Sequence, residues 1–157
     1  MKKITPCLWF DKNAKDACDF YISVFPDSTI NDIKYFDGNN PHGIEGEILT
    51  IEFSLLGNTF LAVNGGPYFQ FTPAVSFMIP CENQEEINYY YDKLSFVEDA
   101  EQCGWIQDRF GVSWQLVPVN LDKYLFSSDK EKSENTMKVF LEMKRIDIDI
   151  LEKTFNS

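Results

Sequence analysis

Gln115 is the side chain that most invites a chemical reading. It stands in Ser113-Trp114-Gln115-Leu116-Val117, a strand-like run with little else that is polar. A lone polar residue there either faces water or reaches into a site, and its amide both donates and accepts hydrogen bonds. Cys7 is the second candidate. Thr5, Cys7 and Trp9 alternate on one side of a strand-like run. The ordinary role of such a cysteine is that of a small buried hydrophobe, and no charged neighbour in the sequence would lower its pKa. The one histidine, His42, lies in Asn39-Asn40-Pro41-His42-Gly43 and reads as an exposed loop residue. With a single histidine so placed, the usual Ser-His-Asp and Cys-His nucleophile arrangements are not expected. Cys7, Cys18, Cys81 and Cys103 form no Cys-x-x-Cys pair, so neither a zinc site nor a redox motif is expected. Scattered, reduced thiols suit a cytoplasmic protein.

These residues need strands to hold them. Residues 104–118 read as a β-hairpin: two runs rich in aromatic and β-branched residues flank Phe110-Gly111. Gly111 is the natural place for a positive φ. Earlier in the chain, residues 5–10 read as a strand. A helix follows, with Asn13 at its cap and Ala14, Ala17, Cys18, Tyr21, Ile22 and Phe25 on one stripe. Residues 29–36 are a strand and 37–46 a polar loop. Residues 48–55 and 59–64 are strands joined by Leu56-Gly57-Asn58.

A shift of about 70 residues overlays this pattern on a second copy. Residues 75–80 are a strand. Asn83 caps a helix with Glu86 three residues on, an Asn version of the capping box. Ile87, Tyr90, Tyr91 and Leu94 make its apolar stripe. Asn13 meets Asn83, Ala17 meets Ile87, and Phe20-Tyr21 meets Tyr90-Tyr91. With a different offset, residues 57–63 pair with 111–117. Each half is strand, helix, then about three strands, which indicates a duplication. The chain is read as one domain over 1–157: module 1 over about 1–66, module 2 over about 73–120, and a helical tail over about 121–157. In that tail, 122–126 is a linker or turn, and 131–144 and 147–155 are helices expected to dock on the sheet or on a partner subunit.

Composition narrows the classes. The 157 residues are 44% hydrophobic and 15% aromatic, with 14 Phe, 7 Tyr and 3 Trp. Some of those rings are expected to line a cavity as well as fill a core. A net charge of −11 argues against nucleic acid and anionic membrane surfaces as partners. No signal peptide is expected, since Met1-Lys2-Lys3 leads into a short run holding Pro6 and Asp11. No segment approaches the roughly 20 apolar residues of a membrane span.

Two βαβββ modules in one chain resemble the vicinal oxygen chelate superfamily, which holds glyoxalase I, bleomycin-resistance proteins and extradiol dioxygenases. The residues behind the resemblance are Thr5-Pro6-Cys7-Leu8-Trp9-Phe10-Asp11, Asn13-Ala14, Phe20-Tyr21, Asn64-Gly65-Gly66-Pro67, Ala74-Val75-Ser76-Phe77 and Cys103-Gly104-Trp105. The most specific is Asp108-x-Phe110-Gly111-x-Ser113-Trp114-Gln115, and Lys144-Arg145-Ile146-Asp147 adds to it. The chain is similar to the PhnB-like branch, long labelled 3-demethylubiquinone-9 3-methyltransferase. The resemblance implies an α+β fold, a cupped mixed eight-stranded sheet with helices outside, one ligand site in the cup, and a homodimer.

Metal-using members of the superfamily place His, Glu or Gln on the first and last strands of each module, pointing inward. By resemblance those positions are Thr5 or Pro6, Leu61, Val75 or Ser76, and Gln115. Only Gln115 could coordinate, so no metal and no cofactor are expected. Methyltransferase activity is not expected either. Binding of S-adenosylmethionine in its common fold uses a glycine-rich turn before a helix, whereas Gly65-Gly66 runs into Pro67 and an aromatic loop over 68–73, read as an interface segment or a lid.

The resulting expectation is a metal-independent small-molecule binding or sequestering protein, cytoplasmic and homodimeric, whose cup is lined by Cys7, Trp9, Leu61, Val63, Phe77 and Gln115. Two alternatives stand beside it. One is a glyoxalase- or dioxygenase-type enzyme with a divalent metal in the cup. The other is an assembly module without a ligand, its cup filled by its own side chains.

Overall fold

In strand β1 (Cys7–Phe10) Leu8 and Phe10 are buried while Cys7 and Trp9 are not. That period of two gives the sheet one face for a core and one left open. The computed structural model describes residues 2–157. By its internal contacts the chain divides into two units, the first ending at Phe71 and the second running from Thr72 to Ser157.

The first unit continues with helix α1 (Ala14–Val24) and strands β2 (Thr29–Tyr35), β3 (Ile48–Leu55) and β4 (Asn58–Asn64). The sheet order is β1-β4-β3-β2, with β1 parallel to β4 and the other pairs antiparallel. Helix α1 buries Ala14, Ala17, Cys18 and Tyr21 of the expected stripe, with Val24 where Ile22 was expected; Ile22 is half-buried, and Phe25 is buried at the C-cap. Against it lie Ile51, Phe53, Phe60 and Ala62, all buried, with the Tyr21 and Phe53 rings stacked at 6.3 Å. Asn13 is the N-cap residue, but its side chain makes no capping bond. Asn64, at the end of β4, does that work: its Oδ1 accepts from Ala14 N–H at 3.0 Å, and its Nδ2 donates to the Ile48 carbonyl at 3.0 Å.

The second unit opens with β5 (Ser76–Cys81), α2 (Gln84–Leu94), β6 (Trp105–Gln107) and β7 (Ser113–Pro118). Its sheet order is β5-β7-β6, with β5 parallel to β7 and β6 antiparallel. In each unit the first strand therefore lies beside the last, which is the order a duplicated module requires. Asn83 caps α2 as expected, accepting from Glu86 N–H at 2.9 Å. Glu86 returns to Glu82 N–H at 2.7 Å, one residue before the cap. Ile87, Tyr90, Tyr91 and Leu94 are its buried face.

Among the described residues there are seven strands in two sheets of four and three. The counterpart of β2 in the second unit does not form a strand. The stretch from α2 to β6 is short, and Phe96 and Val97 both donate to the single carbonyl of Gln107 before a 3₁₀ turn at Glu98–Ala100.

The tail is helical, with one addition. Residues expected to be a linker form helix α3 (Leu121–Leu125), followed by α4 (Lys130–Leu141) and α5 (Ile148–Asn156). Asp129 and Asp147 cap the last two by accepting from Lys132 and Ile150 N–H. The stretch between α4 and α5 hooks back onto the second unit. Cys103 and Gly104 N–H donate to the carbonyls of Met143 and Lys144 at 2.8 and 2.9 Å. Gln84 donates to the Ile146 carbonyl and accepts from Ile148 N–H, at 3.0 and 2.9 Å. Ile146 and Leu151 are fully buried. Arg145 stacks 4.0 Å above the Tyr91 ring and pairs with Asp92 at 2.6 Å.

All four cysteines are free. Burial pushes the thiols of Cys18 and Cys81 up to about 12, so both are inert packing groups at neutral pH. No helix among the described residues is long and apolar enough to cross a membrane.

Candidate functional site

Strand pairing decides which side chains share the open faces. In the first sheet Cys7 is level with Leu61, and Trp9 with Val63. The next strand adds Glu52 beside Leu61 and Thr50 beside Val63. Paired residues point to the same side, and the neighbouring positions Leu8, Ala62, Ile51 and Phe53 are buried under α1. Cys7, Trp9, Leu61 and Val63 therefore form two adjacent rows on the face away from the helix. Trp9 is fixed there: its Nε1 donates to the Gly66 carbonyl at 2.9 Å, and the Phe69 ring meets it edge-on at 5.0 Å. Cys7 is exposed, and partial desolvation raises the pKa of its thiol.

In the second sheet Gln115 is level with Met78 on β5 and with Trp105 on β6. Its Nε2 donates to Ser76 Oγ at 2.8 Å. Ser76, Met78, Gln115 and Trp105 share the face away from α2. Phe77 does not share it. Phe77 is level with Trp114, its ring 5.5 Å from that indole, in phase with buried Ile79 and Cys81. A shift of one residue moves a side chain to the other face, so Ser76 and Met78 occupy the places beside Gln115 that the sequence reading gave to Phe77.

Sequence reasoning also passed over Glu52, Met78 and Trp105. The alternation Thr50-Ile51-Glu52-Phe53 carries a readable signal for Glu52. For Met78 there is none, because Phe77, Met78 and Ile79 are apolar alike and hide the period.

The turn before β7 explains the most specific motif. Asp108 is almost fully buried. Its Oδ1 accepts from Phe110 and Val112 N–H at 2.8 and 3.0 Å, and its Oδ2 accepts from Trp114 Nε1 at 2.9 Å. Gly111, with φ +88°, lets the chain close under it. The motif is thus a folded turn that fixes the start of β7 and so the position of Gln115.

The positions that hold metal in relatives do not fit a metal here. By the resemblance they are Thr5 or Pro6, Leu61, which cannot coordinate, Val75 or Ser76, and Gln115, whose one ligating atom is a neutral amide oxygen. Pro6 meets Leu61 only through its backbone, accepting from Leu61 N–H at 2.9 Å. Among the described residues no three His, Cys, Asp or Glu side chains gather as a metal site. A divalent ion needs several such donors around it.

Residues 2–117 match the family described as 3-demethylubiquinone-9 3-methyltransferase. The chain belongs to that family. A PhnB protein from Bacillus cereus has a similar structure, with 36% identity and a TM-score of 0.62 over 74% of this chain and 99% of that one. A protein from Pseudomonas aeruginosa is 20% identical with a TM-score of 0.58, covering 75% and 98%. The family match and the Bacillus cereus protein place the chain in the PhnB-like branch of the glyoxalase-type superfamily. A comparison with curated proteins gives no match. The family match ends within β7, so helices α3 to α5 lie beyond it.

Proposed function

We propose that this family member is a metal-independent protein that binds or sequesters a small organic molecule on its open sheet faces. The observation that carries the reading is the Gln115–Ser76 pair. It presents an oriented amide, with its carbonyl oxygen left for a donor on the ligand, among the apolar neighbours Met78 and Trp105. A few placed polar groups in an apolar surround are the usual makeup of a small-molecule site. Cys7, Trp9, Leu61 and Val63 supply a comparable apolar surface in the first unit.

The family's description denotes a methyl transfer. One feature favours binding over that chemistry in this chain. Gly65 and Gly66 close on Trp9 and not on a helix, and the next helix begins only at Gln84. A cytoplasmic setting fits the free cysteines and the net charge of −11. A homodimer fits the exposed Tyr68 and Phe69.

Equilibrium binding of a ligand found by screening tests the reading, with Gln115→Ala as the probe. Unchanged affinity in the variant removes Gln115 from the site. Native mass spectrometry of the same sample reads subunit count and any retained ion.

A further inference from the structure

A cleft of about 450 Å³ opens in the first unit, between the turn from β1 to α1 and the loop from β2 to β3. Its lining shares no residue with the rows of Cys7, Trp9, Leu61 and Val63. Asp11 and Lys12 reach it from the turn, and Tyr35, His42 and Glu47 from the loop and its two ends.

Both walls are fixed in advance. On the turn side, Gly65 and Gly66 N–H donate to the carbonyls of Phe10 and Asp11 at 2.9 and 3.1 Å. A Cβ on Gly65 would lie 2.1 Å from the Trp9 ring, so this approach is open only to glycine. On the loop side, Phe36 is buried and exchanges hydrogen bonds with Glu47 and Gly46. Gly43 lies flat on the Phe36 ring, where a Cβ would come within 2.4 Å. The Asn40 side chain accepts from His42 N–H at 3.0 Å. A cleft held this way pays little ordering entropy when a ligand enters.

The lining carries both signs of charge. Asp11 and Glu47 are carboxylates, Lys12 is an ammonium, and the His42 imidazole has an N–H donor. Among the described residues none of these side chains is ion-paired or hydrogen-bonded to another. Nor do the two carboxylates and the imidazole converge on a point where one cation could sit. A single ion would therefore answer one sign and face the other unmatched. A molecule with both charges, spaced apart, answers both.

We propose that this cleft binds a small zwitterion of the α-amino acid type. The ammonium lies toward Asp11 and Glu47, the carboxylate toward Lys12 and His42, and the ligand's side chain against Tyr35. The volume falls in the range that accepts molecules of this size.

The test uses ¹⁵N-labelled full-length protein and three compounds with the same ring and different charges: L-phenylalanine, phenethylamine and 3-phenylpropanoate. L-Phenylalanine is expected to give saturable amide shifts at Lys12, His42 and Glu47, with the singly charged compounds at least about tenfold weaker. Lys12→Gln should weaken L-phenylalanine about tenfold and leave phenethylamine unchanged. Glu47→Gln should weaken L-phenylalanine and leave 3-phenylpropanoate unchanged. Both side chains are exposed, so the fold should persist, as circular dichroism would verify; the three-compound series on the unaltered protein stands without the variants. Equal binding of all three compounds, no saturable shift up to about 20 mM, or shifts confined to Ser76 and Gln115 would each overturn the proposal. The last result would instead favour the open-face reading, and silence at the cleft leaves that reading untouched.

Discussion

Gln115 donates from Nε2 to Ser76 Oγ at 2.8 Å, across the parallel pairing of β7 with β5. By the resemblance, Gln115 and either Val75 or Ser76 stand at candidate ligand positions. Here one neutral side chain satisfies the other, which turns a would-be coordination point into an oriented amide. Ser76→Ala should leave the stability of the protein within about 1 kcal/mol, because the pair is half-buried and water can take over the amide N–H. It should nonetheless weaken binding of an open-face ligand, since Gln115 loses its fixed rotamer. Urea unfolding alongside ligand titration separates the two effects.

Asp108 contributes through structure. Its carboxylate satisfies two backbone N–H groups and the Trp114 indole in a buried setting. Asp108→Ala would orphan all three donors, and the expected cost is about 3 kcal/mol or more. Asp108→Asn keeps one acceptor oxygen and sets its NH₂ against the Trp114 N–H, so it should fall between the two. Chemical denaturation measures the ordering, and Trp fluorescence reports the release of the indole.

The tail is clamped by two residues of unequal weight. Arg145 meets Asp92 and Asn88 at an exposed rim and stacks on Tyr91. Arg145→Ala should cost about 1 kcal/mol, as rim ion pairs contribute little. Gln84 holds two backbone groups beside buried Ile146. Gln84→Ala should cost about 2 kcal/mol. Hydrogen exchange at Ile148 N–H would show the second variant opening the tail where the first does not.

Acid should loosen the same region. Burial pushes the Glu101 carboxyl up, but hydrogen bonds from Tyr91 and Ser95 and the nearby Lys144 and Arg145 outweigh it and hold the group below its ordinary value. Its folded pKa is thus lower than its unfolded one, near 4.3. The stabilisation is complete above that unfolded value and is lost as pH falls through the folded one. Glu101→Gln should therefore lower the melting temperature at pH 7, by a margin that shrinks as the pH falls below the unfolded value. A gap between the two proteins that widens toward low pH would contradict this sign.

Much of this architecture was legible in the residues. The stripes of α1 and α2, Asn83 at its cap and Gly111 in its turn follow from local rules that need no partner strand. The duplication was legible too, because it repeats those signals. What escaped depends on pairing. Phe77 and Met78 are both apolar, so only the register with Trp114 and Gln115 says which faces the open side. Asn13 looked like the cap of α1, yet the bond to Ala14 N–H comes from Asn64, far along the chain at the end of β4. The eighth strand failed because one carbonyl, that of Gln107, takes both donors of the stretch that would have formed it. The charged lining of the cleft joins the turn after β1 to the loop between β2 and β3, a juxtaposition with no local signature.

The measurement that bears most directly on the central claim is a thermal-shift screen of the full-length protein, run in parallel on Gln115→Ala. It would use a panel of small organic metabolites and, separately, nickel, zinc, iron and manganese salts. At least one organic compound should raise the melting temperature of the native protein and raise it less in the variant, while no metal should do so. A divalent metal that stabilises the native protein and loses its effect in Gln115→Ala would contradict it.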